Sequence, residues 1–459
     1  MNYWTKELLQ RALPNAKFYN FTDDFSAKGI RVSFANFDSE SIALVRLEGE
    51  QKGIPICYLD KVIGQASAFI TTNAELLSNF NLPIIEVENT QKTLFQLARF
   101  KRARFAGTVV DITGSAGKST ATKMCYDALC EYGASANLNQ ANTNFGLSWN
   151  MTTYDQNAKF WINETSLGGG MSMNSLMTMP NIAVVTNIAP VHLKPTQNLI
   201  NVAIEKSKIF DYIKSDGTAI LYKEMEFFDY VYEAALKKVN NIITFGEGEG
   251  SDVRIIPGNE NYIEVFGTKY KYSDNPTPNH ILLDAGIVAC ICYVCGISVE
   301  KAFEKLNSFK ALSGRGEVIS ANVTPYKKVT LVDESFNANP VSMKFSLQGF
   351  NKIYGNKSDK VLILGDMAEG GPETEQQHLD LKQYIDEISP SVVLLCRREM
   401  KKLWNIVSQK YMGKHYNSAD ELLSELNNWI SNDTYILVKA SHSIELYKIV
   451  NYVKSFSKL

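Results

Sequence analysis

Residues 109–120 of the chain read Val109-Val110-Asp111-Ile112-Thr113-Gly114-Ser115-Ala116-Gly117-Lys118-Ser119-Thr120. An apolar run leads into a turn bracketed by Gly114 and Gly117, and an apolar pattern with helical spacing follows the turn. We therefore predict a buried strand, a phosphate-binding loop and a helix, in that order. The spacing departs from the standard nucleotide-binding loop, because the first glycine comes later than usual. A glycine-containing turn before an ordinary helix is the alternative interpretation.

The residue types in this turn suit a bound phosphate. Glycines let the backbone curl so that successive N–H groups point at phosphate oxygens, and the N-terminus of the following helix adds positive potential. We expect Lys118 to neutralise the outer phosphates and the Ser119 hydroxyl group to ligate a Mg²⁺ ion. The predicted nucleotide-binding residues of this stretch are Gly114, Ser115, Ala116, Gly117, Lys118, Ser119 and Thr120.

Composition narrows the class of protein. A chain of 459 residues is too long for one hydrophobic core. Its 47 Lys and Arg residues against 49 Asp and Glu residues leave no basic excess, so a nucleic-acid partner is not indicated. The sequence contains no uninterrupted run of roughly twenty apolar residues, so no membrane span is predicted. The seven cysteines show no regular spacing of the kind that a disulfide framework has. The N-terminus also lacks the charged-then-apolar pattern of a signal peptide, so a reducing cytoplasm is the expected compartment.

Alternating strand and helix patterns predict an α/β protein with three domains. Residues 1–104 form a small N-terminal α/β domain. Residues 105–313 form a central P-loop NTPase-like domain, with a parallel sheet and a β-rich insert. Residues 314–459 form a C-terminal Rossmann-like α/β domain. The predicted helices are 4–13, 91–100 and 201–213; the predicted strands are 29–34, 41–47, 68–72, 83–87, 160–164, 182–188, 253–256, 262–265, 270–272, 329–333, 361–366, 391–395 and 435–439.

Polar side chains stand at the ends of two predicted central strands. Glu164 ends one strand, and Asn187 and His192 follow the other, while Lys206 lies on the next predicted helix. Because ligands bind beyond the carboxyl ends of parallel strands, we expect Glu164, Asn187 and His192 to meet at one site. Three of these residues also have a purely structural interpretation. Glu164 could be a structural cap, His192 a hydrogen-bonded core or surface side chain, and Lys206 a solvated lysine of its helix.

Two further stretches are interpreted as structural. Cys290, Cys292 and Cys295 lie in a continuously apolar segment without a second Cys or His pair nearby, so buried helix packing is favoured over a metal or redox site. Residues 98–104 form a basic linker, interpreted as a solvated helix end.

Taken together, the motifs resemble those of the Mur ligases, which form amide bonds in peptidoglycan precursors at the expense of ATP. The chain is most similar to the branch that adds D-alanyl-D-alanine. The resemblance covers essentially the whole chain and is strongest from Thr108 onward. It rests on the ordered segments 113–119, 163–164, 186–192, 205–210, 313–315, 333–340, 365–369 with His378, and 437–441.

The resemblance implies a mechanism and a set of site residues. ATP phosphorylates a substrate carboxylate, and an amine then attacks the acyl phosphate and expels phosphate. Two Mg²⁺ ions are implied, one held by Ser119 and Glu164 and the other by His192 and a carbamylated Lys206. The implied catalytic residues are Lys118, Glu164, His192 and Lys206; further nucleotide-contacting residues are His280, Asp284, Arg315, Asp333 and Asn337; substrate residues are Asn142, Thr143, Ser166, Asn339, His378, Lys439 and His442. For His378, simple packing is the alternative. A monomer acting on small-molecule acid and amine substrates is also implied.

Several positions depart from the pattern of this branch. Residues 33–37, where the branch carries an Asp-Ser-Arg-like turn that helps bind a uridine nucleotide, contain no Arg. In the adenine-side segment that begins at His280, an amide is replaced by Asp284, an acceptor-only carboxylate. His442 stands in place of an Arg, and residues 369–371 read Glu-Gly-Gly in place of Glu-Leu-Gly. These departures fall largely where acid, amine or uridine is recognised.

Three functions therefore remain open from the sequence. The first is the peptidoglycan ligase itself, and the second is a related ligase that makes an amide outside the cell wall. The third is a nucleotide-binding protein without turnover. Retention of Lys118, Glu164, His192 and Lys206 argues against the third, because nucleotide binding alone does not need a second metal site.

Overall fold

The computed structural model describes residues 2–35, 37–139, 141–190, 198–368 and 373–457. The N-terminal part is a small sheet with the strand order β2-β8-β7-β5-β4, flanked by helices, and β1 and β3 pair separately. Its elements are β1 (Trp4–Thr5), α1 (Lys6–Ala12), β2 (Lys17–Tyr19), β3 (Ser26–Ala27), β4 (Ile30–Arg31), β5 (Ser41–Arg46), β6 (Ile54–Pro55), β7 (Ala66–Thr71), β8 (Ile84–Glu86) and α2 (Thr90–Arg102). The predicted strand 29–34 is therefore shorter than expected.

The central part is built on one long sheet with the order β10-β11-β9-β12-β13-β14-β15-β16-β17. It is parallel from β10 to β15. The predicted β-rich insert continues this sheet, its first strand pairing parallel with β14 and its next two strands pairing antiparallel. Its elements are β9 (Thr108–Thr113), α3 (Lys118–Leu129), β10 (Ala134–Ala136), α4 (Asn144–Thr153), β11 (Phe160–Glu164), α5 (Met171–Thr178), β12 (Ile182–Val185), α6 (Leu199–Ser207), β13 (Thr218–Tyr222), α7 (Phe228–Leu236), β14 (Asn241–Gly246), β15 (Val253–Ile256), β16 (Asn261–Val265), β17 (Thr268–Ser273), α8 (Asn279–Val294) and α9 (Val299–Leu306).

The C-terminal part carries a third sheet with the order β18-β19-β23-β20-β21-β22, parallel except for the β18–β19 hairpin. The sequence patterns did not predict β18. Its elements are β18 (Glu317–Thr324), β19 (Lys327–Glu334), α10 (Pro340–Tyr354), β20 (Lys360–Gly365), α11 (Thr374–Leu379), α12 (Leu381–Ile388), β21 (Val392–Cys396), α13 (Arg398–Val407), β22 (Met412–Tyr416), α14 (Ala419–Glu425), β23 (Thr434–Lys439) and α15 (Tyr447–Ser455).

The mixed α/β fold with a central parallel sheet confirms the predicted fold class. Helix α8 packs its apolar length against the central sheet, with Cys290 and Cys292 fully buried, as expected for core packing. Burial raises the pKa of both thiols, which keeps them protonated and unreactive. Across the described ranges, no helix is both long and apolar enough to cross a membrane.

The basic end of α2 corrects one expectation. Residues 98–104 were expected to be a solvated helix end, but Lys101 and Arg102 are buried. The Lys101 ammonium group donates to the carbonyl oxygens of Thr152 (3.0 Å) and Tyr154 (2.6 Å), and burial lowers its pKa to about 7. Arg102 donates to carbonyl oxygens at the C-terminal end of α5. The two cations therefore fasten the N-terminal part to the central part.

Replacing Lys101 by Met is expected to lower the free energy of unfolding by about 1–3 kcal/mol, because the Tyr154 carbonyl oxygen loses its donor and the Thr152 carbonyl oxygen keeps only that of the Trp4 indole. Thermal and denaturant unfolding of the purified variant measure this change. Lys92→Met, at an exposed position of the same helix, is the matched control and should change stability by less than about 0.5 kcal/mol. Equal stability of the two variants would contradict a fastening role for Lys101.

Candidate active site

The glycine turn after β9 has the backbone geometry that the sequence predicts. Gly117 adopts φ +81° and caps the N-terminus of α3, a left-handed conformation that favours glycine. A Cβ atom at Gly114 would lie 1.8 Å from the Thr186 hydroxyl oxygen. The turn can thus approach the end of β12 only because residue 114 has no side chain.

Asn187, directly beyond β12, holds the turn in shape. Its side-chain oxygen accepts hydrogen bonds from the backbone N–H groups of Ser115 (3.1 Å) and Ala116 (2.8 Å), and its amide nitrogen donates to the Ala116 carbonyl oxygen (3.0 Å). The Thr186 hydroxyl group donates to the same carbonyl oxygen (2.6 Å). Asn187 therefore arrives at the predicted edge of the sheet, where it shapes the loop.

Two lysines converge on one oxygen of the turn. The ammonium groups of Lys118 and Lys206 each donate to the Gly114 carbonyl oxygen at 2.8 Å. Burial lowers the pKa of both lysines, and the nearby charge of Lys118 lowers that of Lys206 further. A lysine whose pKa is depressed in this way is a better nucleophile at neutral pH, because more of it is unprotonated.

Glu164 ends β11 beside the turn and is almost fully buried. Its carboxylate accepts from the Ser119 hydroxyl group (2.5 Å) and from the side-chain amide of Asn142 (2.8 Å). These hard oxygen ligands suit Mg²⁺, so the residues present fit that ion. Among the side chains that the structure describes, no three from His, Cys, Asp and Glu cluster as a ready-made metal site. His192, the expected ligand of a second ion, lies outside the described residues.

These groups open onto a cavity of about 440 Å³ between the central and C-terminal parts of the chain. Fifteen of the predicted site residues line it: Ser115, Ala116, Gly117, Lys118, Thr120, Asn142, Thr143, Glu164, Ser166, His280, Asp284, Arg315, Asn337, Asn339 and Lys439. The predicted residues that do not line it are Gly114, Ser119, Lys206, Asp333, His378 and His442. Gly114, Ser119 and Lys206 lie behind its wall, bonded to residues of the site.

The C-terminal part supplies two cations to the opposite wall, the partly buried Arg315 and the buried Lys439. The Arg315 guanidinium group stacks on the Phe336 ring at 4.1 Å, and within the described ranges its Nε atom has no hydrogen-bond partner. Lys439 donates to the Asn337 carbonyl oxygen at 3.1 Å and lies 3.5 Å from the Glu334 carboxylate. Burial lowers the pKa of Arg315 and of Lys439, so both gain from an anion in the cavity.

Two predicted nucleotide residues come from α8. The Nε2 atom of His280 lies 4.0 Å from the Glu334 carboxylate, and burial lowers the pKa of its imidazole. Burial raises the pKa of Asp284 well above its usual range, although Arg315 opposes this shift. Asp284 faces the turn, since a Cβ atom at Gly117 would lie 3.1 Å from its carboxyl oxygen.

Two predicted residues have side chains engaged within the protein. Asp333 accepts from the Gly314 backbone N–H (2.8 Å) and from the Ser335 backbone (3.1 Å) and hydroxyl (2.6 Å) groups, so it shapes the loop that carries Arg315. Asn339 caps α10 through its side-chain oxygen, and its amide nitrogen donates to the Ser115 carbonyl oxygen (3.1 Å). Asn339 thus links the C-terminal part to the phosphate loop.

Two predicted substrate residues, His378 and His442, do not line the cavity. Both ring nitrogens of the buried His378 are hydrogen-bonded, Nε2 to the Met367 backbone N–H (3.0 Å) and Nδ1 to the Thr374 carbonyl oxygen (2.6 Å), which favours the packing alternative for this residue. His442 is exposed, stacks on Tyr447 with ring centroids 5.1 Å apart, and lies next to the cavity-lining Phe336, whose ring centroid is 5.8 Å from its own.

The sequence interpretation missed the apolar side of the cavity. Aromatic and aliphatic side chains line it there: Tyr222, Phe245, Leu283, Ile287 and Phe345. Such a wall suits the flat face of a nucleobase. Nothing in the sequence distinguishes these residues from the surrounding core, because they lie in the same apolar strand and helix patterns.

A glycine turn with a buried lysine, a carboxylate at the next strand end, and cations from a second α/β domain define a nucleotide-dependent ligase. The Mur ligase middle domain matches residues 112–280, and the Mur ligase glutamate ligase domain matches residues 314–442. The chain belongs to the Mur ligase family.

Individual relatives and solved structures agree with this assignment. The UDP-N-acetylmuramoyl-tripeptide--D-alanyl-D-alanine ligase of Rickettsia prowazekii is 24% identical, over 89% of this chain and 91% of the relative. The enzyme of the same name from Buchnera aphidicola is 27% identical, over 87% of each chain. Among solved structures, MurF of Acinetobacter baumannii superposes with a TM-score of 0.81 at 21% identity, covering 98% of this chain and 99% of that one. The MurF ligase of Thermotoga maritima, solved with ADP, gives 0.76 at 19% identity, covering 94% and 98%.

Replacing Asn187 by Ala is expected to weaken ADP binding by about tenfold, because the loss of its hydrogen bonds frees the phosphate loop from its bound shape. Calorimetric titration with ADP measures the change. Asn157→Ala removes an exposed asparagine of the same domain and serves as the control, with unchanged affinity. Wild-type ADP affinity in Asn187→Ala would show that the loop keeps its shape without this clamp.

Proposed function

We propose that the chain is an ATP-dependent, ADP-forming ligase that joins D-alanyl-D-alanine to UDP-N-acetylmuramoyl-tripeptide. The observation that carries this proposal is the single cavity in which Lys118, Glu164, Arg315 and Lys439 meet. Relatives that share most of the length of this chain carry that activity in their names, which favours it over an amide outside the cell wall.

The buried cations of the cavity account for the use of a triphosphate. Lys118 and Arg315 are partly buried and hold charge that water solvates incompletely, and a phosphate chain is an anion that offsets it. As the phosphoryl group moves to the acid, negative charge spreads over its oxygens, and preorganised cations stabilise that charge. The first-turn N–H groups of α3, which have no partner within the helix, point toward the same anion.

Ser119 and Glu164 would hold one Mg²⁺ ion, and His192 with Lys206 would hold a second. When bound, Mg²⁺ supplies charge stabilisation for the transferring phosphoryl group. A lysine ammonium group cannot ligate a metal, so Lys206 takes this role only as a carbamate. Its depressed pKa supports the modification, because the unprotonated amine is the form that reacts with carbon dioxide.

The acyl phosphate must be kept from water until the amine attacks. The C-terminal part forms one wall of the cavity and reaches the phosphate loop through Asn339. A site closed in this way by two domains excludes water and orients the acid and the amine. Thr143 and Ser166 line the side of the cavity that we assign to the acid.

The purified protein should release ADP when UDP-N-acetylmuramoyl-tripeptide and D-alanyl-D-alanine are both present. Lys118→Ala should lower kcat by at least about 100-fold, because the transferring phosphoryl group loses a preorganised cation. A coupled ADP-release assay measures both results. Lys123→Ala, which removes a lysine of the same helix paired with Asp127, should keep near wild-type kcat. Turnover with other acid–amine pairs but not with this one would overturn the assignment of substrates.

Ser119→Ala and Glu164→Gln should each raise the Mg²⁺ concentration for half-maximal turnover by about tenfold, because each removes an oxygen ligand. The measurement is ADP release during a Mg²⁺ titration at saturating substrates. Asp127→Asn, a carboxylate change on the outer side of α3, is the control and should leave the Mg²⁺ requirement unchanged. An unaltered Mg²⁺ requirement in both site variants would exclude this pair as ligands.

A further inference from the structure

Residues 337–339, Asn337-Ala338-Asn339, connect β19 to α10 and belong to no strand or helix. We call them the connecting segment. Asn337 and Asn339 line the cavity, and the side-chain amide of Asn339 donates to the Ser115 carbonyl oxygen (3.1 Å). This hydrogen bond joins the C-terminal part directly to the phosphate loop. The position of the C-terminal part at the phosphates therefore depends on how the connecting segment is held.

Side chains, and not strand or helix pairing, hold the connecting segment in shape. The Asn337 side-chain oxygen accepts from the Ala338 N–H group (2.8 Å), and the Ser342 hydroxyl oxygen accepts from the Asn339 N–H group (3.0 Å). Within the described ranges, neither the N–H nor the carbonyl group of Ala338 bonds to another backbone group. Because every buried backbone group needs a partner, each of these side-chain contacts helps to define the path of the segment.

The end of β23, the neighbour of β19 in the sheet, supplies two of these contacts. The Lys439 ammonium group donates to the Asn337 carbonyl oxygen (3.1 Å), and the Ser441 hydroxyl group donates to the next carbonyl oxygen, that of Ala338 (3.3 Å). Two successive carbonyl oxygens of the segment are thus held from one strand end. Lys439 also lines the cavity, whereas Ser441 does not. Ser441 therefore stands outside the expected nucleotide, metal and substrate sites, but in contact with the segment that reaches them.

Backbone groups after β20 fix the Ser441 side chain. The Ala368 N–H group donates to the Ser441 hydroxyl oxygen (2.9 Å), and the Ser441 N–H group donates to the Asp366 carbonyl oxygen (3.1 Å). Because the hydroxyl oxygen accepts from Ala368, its hydrogen is available for the Ala338 carbonyl oxygen. Ser441 and Ala338 are each only 4% exposed, so bulk water does not replace this bond.

We propose that Ser441 is a positioning residue that acts through Ala338 and Asn339 to hold the C-terminal part against the phosphate loop until the amine attacks. This inference rests on the proposed ligase function. Without the hydroxyl group, the Ala338 carbonyl oxygen is buried without a donor, which favours a shift of the connecting segment toward another partner. Such a shift weakens the hydrogen bond from Asn339 to Ser115.

A weakened link between the two parts has a chemical consequence, because the closed cavity keeps water from the acyl phosphate. When water enters, it attacks the carbonyl carbon in place of the amine. The bond from that carbon to the phosphate oxygen breaks, and the products are the free acid and inorganic phosphate. ADP has then been formed without an amide. Loss of the Ser441 hydroxyl group should thus uncouple ADP formation from amide formation.

The ratio of ADP released to amide formed measures this role at saturating ATP, acid and amine. The wild type should give a ratio of about one, and Ser441→Ala a ratio of at least about two, with the KM for ATP changed less than about threefold. A residue that only stabilises the fold would lower the amount of active enzyme and leave the ratio unchanged. Ser320→Ala, at an exposed position of β18, is the matched control and should keep the wild-type ratio.

Two further variants make the test independent of a cavity left by alanine. Ser441→Cys fills a similar volume with a weak hydrogen-bonding group and should also raise the ratio. Asn339→Asp keeps the oxygen that caps α10 but removes the donor to Ser115, so it should raise the ratio as well. Its effect and that of Ser441→Ala should be less than additive, because both act on one hydrogen bond.

A ratio of about one in both Ser441 variants, or in Asn339→Asp, overturns the positioning role while the ligase function stands. Absence of ADP release from the wild type with both substrates present overturns the ligase function instead.

Discussion

The active site depends on the register of three neighbouring strands, and a buried carboxyl group sets that register. Asp111, in the middle strand β9, accepts from the Asn163 side chain on β11 (2.8 Å) and from the Thr178 hydroxyl group at the end of α5 (2.5 Å). Burial raises the pKa of Asp111 to about 6. The hydrogen bonds from Asn163 and Thr178 offset the loss of hydration of this buried carboxyl group. A slip of one residue would leave this group unpaired and turn every neighbouring side chain to the other face. With the register fixed, Glu164 stands beside Ile112, and β12 ends beside Thr113.

This strand register brings four cationic side chains close together around one cavity, and their mutual repulsion is unfavourable in the protein without a ligand. Lys118 and Lys206 share one carbonyl oxygen, and Arg315 and Lys439 face them across the cavity. Each cation has lost most of its hydration, and burial lowers the pKa of every one of them. The carboxylates of Glu164 and Glu334 offset only part of this charge. A site with this excess of poorly solvated positive charge gains stability when a polyanion enters.

Site residues could be predicted from the sequence where a reactive or charged side chain lies within a recognisable strand, turn or helix pattern. The strand, the turn of Gly114 and Gly117, and the helix after it form a local motif, and Glu164 is recognisable as a lone carboxylate after an apolar run. Phe245 and Ile287 could not be found this way, because a cavity wall and a core have the same apolar pattern and differ only in the tertiary packing. Lys101 was misassigned for the opposite reason: a basic helix end is usually solvated, and only its position against the Thr152 and Tyr154 carbonyl oxygens shows that it is buried. Strand β18 was missed although exposed and buried residues alternate along it, which is the pattern of a half-buried strand.

The departure at Asp284 shows how burial can change the meaning of a substitution. Read from the sequence, a carboxylate in place of an amide loses a hydrogen-bond donor. In the structure, burial raises the pKa of Asp284 well above its usual range, which favours the protonated acid. A protonated carboxyl group has one O–H donor and retains an acceptor, so it can make the pair of hydrogen bonds that an amide makes. At the nucleotide site, a protonated Asp284 can therefore replace the amide side chain of the family more closely than the sequence alone indicates. By contrast, the missing Arg at residues 33–37 lies in the N-terminal part, where burial of a neighbour cannot restore a guanidinium group. Any divergence in substrate recognition is therefore expected from residues 33–37, residues 369–371 and His442 more than from the nucleotide site.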